Sequence, residues 1–177
     1  MHFTPDSTEQ EIVTGCLKND RTSQKKLFDR YKDSMYTLIF RIVRDEDKSC
    51  DALQEGFIQV FAGLNRFRWE STLGAWIKTI MVRSALREVK EKMYFEDYGL
   101  EAGNKTIEWD ENLTGEMLDR AIAALSPGYR SVFILVEVEG YTHKEVADIM
   151  NISVGTSKSQ LSRAKQVLQE RLKSMGY

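Results

Sequence analysis

Apolar residues in this chain recur at intervals of three and four, and the every-second-residue pattern of a half-buried strand is scarce. The stripes run through Ile12, Val13, Cys16 and Leu17, then Leu27, Tyr31, Met35, Leu38, Ile39 and Ile42. They continue through Cys50, Leu53, Phe57, Val60, Phe61 and Leu64, then Leu73, Trp76, Ile77, Ile80 and Leu86. Helix punctuation bounds each one. Ser7 and Gln10 have capping-box spacing, Asn19-Asp20 is a stop, and the second helix is expected from about Ser23 to Arg44. Asp45-Glu46-Asp47 puts acids where a helix N-terminus favours them, and Ser71 caps a fourth helix reaching about Lys92.

From about Met93 to Asn112 the pattern fails: Gly99, Gly103 and Asn104 sit among acids, as in a linker. Helices resume near Thr114, with Met117, Leu118, Ile122 and Leu125. Ser126-Pro127 reads as a helix start and Gly140 as a stop. The branched residues of YRSVFILVEVE suit a buried strand. Its length and both end signals favour a helix, and no strand partner is visible. The expectation is an all-α chain of two small helical domains, 7–92 and 115–175, joined by an acidic linker at 93–114.

The composition, 42% hydrophobic and 29% charged, is that of a soluble globular protein. No apolar run approaches the roughly 18 residues of a spanning helix, so no membrane insertion is expected. The acidic, polar opening MHFTPDSTEQE does not read as a signal peptide. Cys16 and Cys50 form no metal or redox motif, fit a reducing cytosol, and are each expected as small buried residues. His2 and His143 are the only histidines, and no glycine-rich phosphate loop, metal spacing or nucleophile elbow accompanies them. Neither catalysis nor a cofactor is expected.

The formal net charge of −2 argues against a free-standing, tight DNA binder, since phosphate contacts supply most of such affinity. The charge is nevertheless partitioned. Arg66, Arg68, Lys78, Arg83, Arg87, Lys90 and Lys92 form one basic segment, and Lys158, Arg163, Lys165, Arg171 and Lys173 a second. Acids from Glu96 to Asp119 lie between them. Solvated helix faces plus a soluble linker would also produce this pattern.

EVADIMNISVGTSKSQLSRAK, residues 145–165, interrupts a good helix for three residues. Asn151 takes the left-handed conformation that ends a helix, and Ser153 caps the next. The new helix has Val154, Ser157, Leu161, Ala164 and Leu168 as its inward stripe, with Ile152 plugging the corner. Its exposed side carries Thr156, Ser159, Gln160 and Arg163. This is a helix-turn-helix, whose second helix enters the major groove by its N-terminal end. Gln pairs with adenine and Arg with guanine, while Thr, Ser and the helix N-terminus suit phosphates. An αα-corner that binds nothing is the plain alternative.

Two other stretches carry chemistry. NRFRWES alternates arginines with Phe67 and Trp69 in a loop, and a single nucleic-acid strand offers phosphates for the former and base faces for the latter. The rings would equally serve by covering the core, and Trp76, within a helical stripe, reads as core. DALQEGF sets Asp51, Gln54, Glu55 and Ile58 on one helix face beside Leu53 and Phe57, a mixed patch suited to helix-on-helix docking.

GYTHKEVADIMNISVGTSKSQLSRAKQVL resembles region 4 of the sigma-70 family, in its extracytoplasmic-function group, and SPGYRSVFILVEVEGYT resembles the opening of that domain. LFDRYKDSMYTLIFRIV, DALQEGFIQVFAGLNRF and ESTLGAWIKTI resemble region 2. The likeness covers about residues 20–92 and 115–173, in the right order. It implies a sigma factor that binds core RNA polymerase, recognises −10 and −35 promoter elements and promotes melting, in the cytoplasm and without catalysis of its own. It further implies that Asp51, Leu53, Gln54, Glu55, Phe57 and Ile58 dock on the clamp helices of the largest subunit, and that the flap is a second contact. For the −10 element and its melting it implies Asn65, Arg66, Phe67, Arg68, Trp69, Glu70, Ser71, Lys78, Arg83 and Arg87. For the −35 element it implies Arg130, Thr142, Thr156, Lys158, Ser159, Gln160, Ser162, Arg163 and Lys165. The linker would thread polymerase channels, or serve as a plain tether. An inhibitory anti-sigma partner is typical of the group. Ser157 stands where the family usually has a branched apolar residue, Asn151 where it has glycine, and Arg83 and Arg87 where it often has Asn and Asp. The competing reading is an ordinary regulator with a helix-turn-helix domain and an N-terminal sensing or dimerising domain.

Overall fold

The computed structural model describes residues 7–90, 93 and 114–174. These form helices and no strand, so the expected all-α class holds. Most of the acidic segment and Lys92 lie outside the described residues, as does His2. The chain parts into two compact units, residues 1–88 and 89–177.

The first unit contains α1 (Ser7–Leu17), α2 (Arg21–Val43), α3 (Glu46–Gly63), a short 3-10 turn (Leu64–Arg66) and α4 (Leu73–Val89). Its corners are made by polar caps. Asn19 takes φ 59°, and Asp20 then accepts from the backbone N–H of Thr22 and Ser23 at the start of α2. Arg44 repeats the left-handed step at φ 56°, and Asp45 accepts from Lys48 N–H. At the fourth helix the cap is Thr72 rather than the expected Ser71: its Oγ1 accepts from Ala75 N–H at 3.0 Å. The phenol of Tyr31 donates to Glu9 at 2.7 Å, tying α1 to α2.

α4 lies deep in this unit, with Leu73, Ile77, Met81 and Val82 almost fully buried. Close approach to α3 depends on missing side chains. A Cβ at Gly63 would meet the Trp76 indole at 3.2 Å, and one at Gly56 would collide with Met81 Sδ. Cys16 is buried as expected, but Cys50 is exposed, since it lies on the solvent side of α3.

The second unit contains α5 (Gly115–Ala123), α6 (Pro127–Phe133), a wide π-type turn (Ile134–Val138), α7 (His143–Met150) and α8 (Val154–Ser174). The ambiguous segment is therefore helical, and Glu139 N–H reaches Ile134 O at 2.9 Å to close the wide turn. Gly140, at φ 75°, ends it. Thr142 and Glu145 form a reciprocal capping box on α7. Asn151 ends that helix at φ 55°, and Ser153 Oγ accepts from Thr156 N–H at 2.9 Å to begin α8. α5, α6 and α7 all pack on α8, which buries Ser157, Leu161, Ala164 and Leu168 as expected. Val154, the opening residue of α8, was expected inward and is 41% exposed.

Candidate nucleic-acid interface

The loop after α3 gathers three aromatic rings. Phe67 sits 4.8 Å from Trp69 and 5.0 Å from Trp76, centroid to centroid, each pair tilted. Beside them is a cleft of about 360 Å³ lined by Arg66, Phe67, Arg68, Glu70, Ser71 and Trp76. Its size falls within the roughly 300–1,000 Å³ of small-molecule sites. Phe67, Trp69 and Trp76 are each half-buried, while Asn65, Arg66, Arg68, Glu70 and Ser71 are exposed. Guanidinium groups and a carboxylate thus ring an aromatic floor, which is what an unpaired base with its phosphates needs. Trp69 holds φ 58°, a left-handed conformation that costs a non-glycine residue roughly 1–2 kcal/mol.

The basic residues expected beside this loop divide. Arg83 and Arg87 are exposed and follow Trp76 at helical spacing along one face of α4, and Lys90 continues the row. Lys90 was not among the expected DNA-facing residues, although its spacing from Arg83 and Arg87 carries that signal. Lys78 lies about 160° round the helix from Trp76, on the side α4 turns toward the core, and is half-buried. It does not share their face. Arg87 also donates to Ser84 Oγ at 3.1 Å and approaches Glu55 at 4.0 Å.

The expected docking face on α3 is a surface of four residues. Asp51, Gln54 and Glu55 are exposed, and Ile58 stands among them 62% exposed. Phe57 does not belong to it. It is 3% exposed and packs at 4.7 Å on Phe28, so it anchors the face from beneath. Leu53 is half-buried.

The recognition helix differs from expectation at several positions. Arg163 and Lys158 are exposed, and Thr156 and Ser162 are half-buried. Gln160 is 1% exposed and Ser159 7%. Gln160 lies only about 60° from the inward stripe, at its flank, and Ser159 turns its hydroxyl back onto Thr156 O at 3.0 Å. Both were expected exposed. Lys165 is half-buried and pairs with Glu137 of the wide turn at 2.9 Å. Thr142 is exposed, but its hydroxyl and N–H both donate to Glu145. Arg130 departs furthest: it is 6% exposed and donates to Ala123 O, at the end of α5, and to Leu125 O in the turn that follows. Its place is inside the unit, because those carbonyls have no next helical turn to satisfy them.

His143 and Ser157 form a contact that the sequence did not announce. Ser157 is fully buried, and its hydroxyl lies 2.9 Å from His143 Nδ1 across the helix-turn-helix. The serine at an apolar position is thus satisfied by the preceding helix rather than along its own. Burial, then Lys158, holds the imidazole below its usual pKa; Lys165 adds to this and Glu137 opposes it. The unfolded chain therefore binds a proton first as pH drops below about 6.5, and stability that is present above that value is lost through this window. Urea midpoints should fall less between pH 7.5 and pH 5.5 for His143→Gln than for the wild type. Parallel profiles would contradict this coupling.

Two helical units, one ending in a helix-turn-helix and the other bearing an aromatic, arginine-lined cleft, form an arrangement suited to nucleic acid. Comparison with known proteins agrees. Residues 27–93 match the family description Sigma-70 region 2, and residues 115–168 match Sigma-70, region 4. The ECF RNA polymerase sigma-E factor of Haemophilus influenzae is 26% identical, covering 95% of this chain and 97% of that protein. That of Escherichia coli K12 is 27% identical, covering 95% and 96%. Among solved structures, the sigma factor RpoE in complex with the anti-sigma factor NepR from Bartonella quintana is 26% identical, with TM-score 0.55. That likeness covers 84% of this chain and 96% of that one. CnrH in complex with the cytosolic domain of CnrY shares the fold at TM-score 0.56 and 15% identity, covering 92% and 96%. The chain belongs to the sigma-70 family, in its extracytoplasmic-function group, and is a promoter-directing factor of RNA polymerase. Among the described residues no helix is long and apolar enough to cross a membrane.

Proposed function

We propose a division of labour among named residues. Asp51, Gln54, Glu55 and Ile58 dock on core polymerase, with Phe57 and Leu53 supporting them from below. The cleft around Phe67 captures an unpaired base of the −10 element, and Arg83, Arg87 and Lys90 follow the same strand. The exposed side of α8, through Thr156, Lys158, Ser162 and Arg163, meets the −35 element. Residues 7–92 and 115–175 are the working domains, and 93–114 connects them. The chain acts in the cytoplasm by binding alone, with no covalent step of its own. The Bartonella quintana sigma factor RpoE, solved in complex with the anti-sigma factor NepR, favours such a partner here too.

The observation that carries this reading is the cluster of Phe67, Trp69 and Trp76 beside a cleft ringed by Arg66 and Arg68. Two modest DNA contacts held by one polymerase gain from effective concentration, which reconciles a net charge of −2 with promoter selection. The test is transcription with purified core polymerase, followed by sequencing of the transcript starts. Promoter-dependent initiation supports the reading, and its absence would leave the competing regulator. On the promoters so found, Arg163→Ala should relax discrimination at one −35 position by roughly 1–3 kcal/mol. A uniform loss across sequences would instead make Arg163 a phosphate contact.

A further inference from the structure

The N-terminal turn of α8 is the part of a recognition helix that enters the groove, and little apolar packing holds it here. Of Val154, Gly155, Thr156, Ser157 and Lys158, Ser157 alone is buried. That one anchor is polar. Its hydroxyl is sealed from water, so its proton needs an acceptor inside the protein. The backbone candidate one turn back, Ser153 O, already accepts from Ser157 N–H at 3.0 Å. His143 Nδ1 lies 2.9 Å from the hydroxyl and takes the proton with its lone pair, which leaves the ring hydrogen on Nε2. The ring stands on a fixed base, because Thr142 and Glu145 cap α7 on either side of it. α7 packs on α8 and on the wide turn. The charges that face the imidazole from them are Lys158 and Lys165 of α8 and Glu137 of the turn, the last paired with Lys165. Burial first, and then two cations against one anion, oppose a positive charge on the ring.

We propose that His143 is a positioning residue for −35 discrimination: its neutral ring, accepting from Ser157, sets the groove-entering turn of α8, and protonation at Nδ1 releases that turn. This rests on the proposed −35 contact by α8 and adds to it the residue that aims it. Thr156 and Lys158, both in that contact, flank Ser157 in the chain. Acid therefore lowers discrimination between promoters. An imidazolium acting simply as one more cation near phosphates would do the opposite, raising affinity for every sequence.

The experiment uses holoenzyme reconstituted with core polymerase. It compares affinity for a promoter mapped as above with affinity for the same duplex altered at its −35 element, from pH 7.5 to pH 5.5. Taking the ratio cancels effects of pH on the polymerase. In the wild type the ratio should fall roughly 2- to 10-fold with acid, the worth of one net hydrogen bond. His143→Ala should show that fall already at pH 7.5. Two variants should give ratios that do not change with pH: His143→Gln, whose amide oxygen accepts the same hydroxyl without titrating, and Ser157→Val, which fills the seat by packing. Proton NMR of the full chain gives a second readout, since His2 and His143 are the only histidines and His143→Gln assigns the pair. Ser157→Ala should raise the His143 pKa, because the neutral ring loses its donor. A wild-type ratio independent of pH, the same acid slope in His143→Gln, or a His143 pKa not raised in Ser157→Ala would overturn the proposal. Equal weakening on both duplexes in His143→Ala would overturn it in favour of a purely structural role. A wild type that fails to distinguish the two duplexes at any pH would overturn the −35 reading itself.

Discussion

Ile58→Asp leaves the fold of this protein unchanged and weakens its association with core polymerase by about 30-fold or more, the range of an interface hot spot. The side chain is 62% exposed on α3, so no internal packing depends on it. An exposed branched residue among Asp51, Gln54 and Glu55 is the apolar centre of an otherwise polar face, and such centres carry most of the energy when a partner covers them. A charge there would be buried unpaired in the complex. Competition binding to core polymerase, with circular dichroism as the fold control, checks this. An unchanged affinity would remove α3 from the docking surface. Asp51→Ala serves as a rim control and should have a much smaller effect.

Arg130→Met lowers the stability of the second unit by about 3 kcal/mol and leaves intrinsic −35 contacts unaltered. The arginine is 6% exposed and satisfies two carbonyls, one at the end of α5 and one in the turn after it. Methionine fills similar space and donates nothing. Each buried carbonyl left without a partner costs roughly 1–3 kcal/mol. Denaturant titration of the full chain should show the second unit unfolding early while the first is unmoved. The opposite result, full stability with weakened −35 binding, would restore Arg130 to the DNA-facing set that the family resemblance implied.

Features that depend on neighbours along the chain were readable in the sequence. Asn151 and Ser153 break and restart the helix as their chemistry dictates, Gly140 stops the segment after Pro127, and Thr114 accepts from Met117 N–H. The aromatic loop was readable only in part: rings between arginines in a polar turn need a partner, and Phe67 finds Trp69 and Trp76. What could not be read required knowledge of what folds against what. The carbonyls that hold Arg130 belong to the end of α5 and the turn after it, and His143 meets Ser157 only after the chain has turned. Lys78 is a different case. Its separation from Arg83 and Arg87 follows from helical arithmetic alone, and treating all the basic residues of α4 as one group concealed it.

The two cysteines differ in a way that makes the molecule convenient to observe. Burial and the nearby Asp20 carboxylate raise the Cys16 thiol above its usual pKa, and the side chain is enclosed, whereas Cys50 is exposed on α3 one residue before Asp51. Thiolates are the reactive species, so a maleimide dye applied to the native protein attaches selectively at Cys50. The label sits at the margin of the proposed docking face, and its emission would follow assembly with polymerase in real time without any residue being replaced.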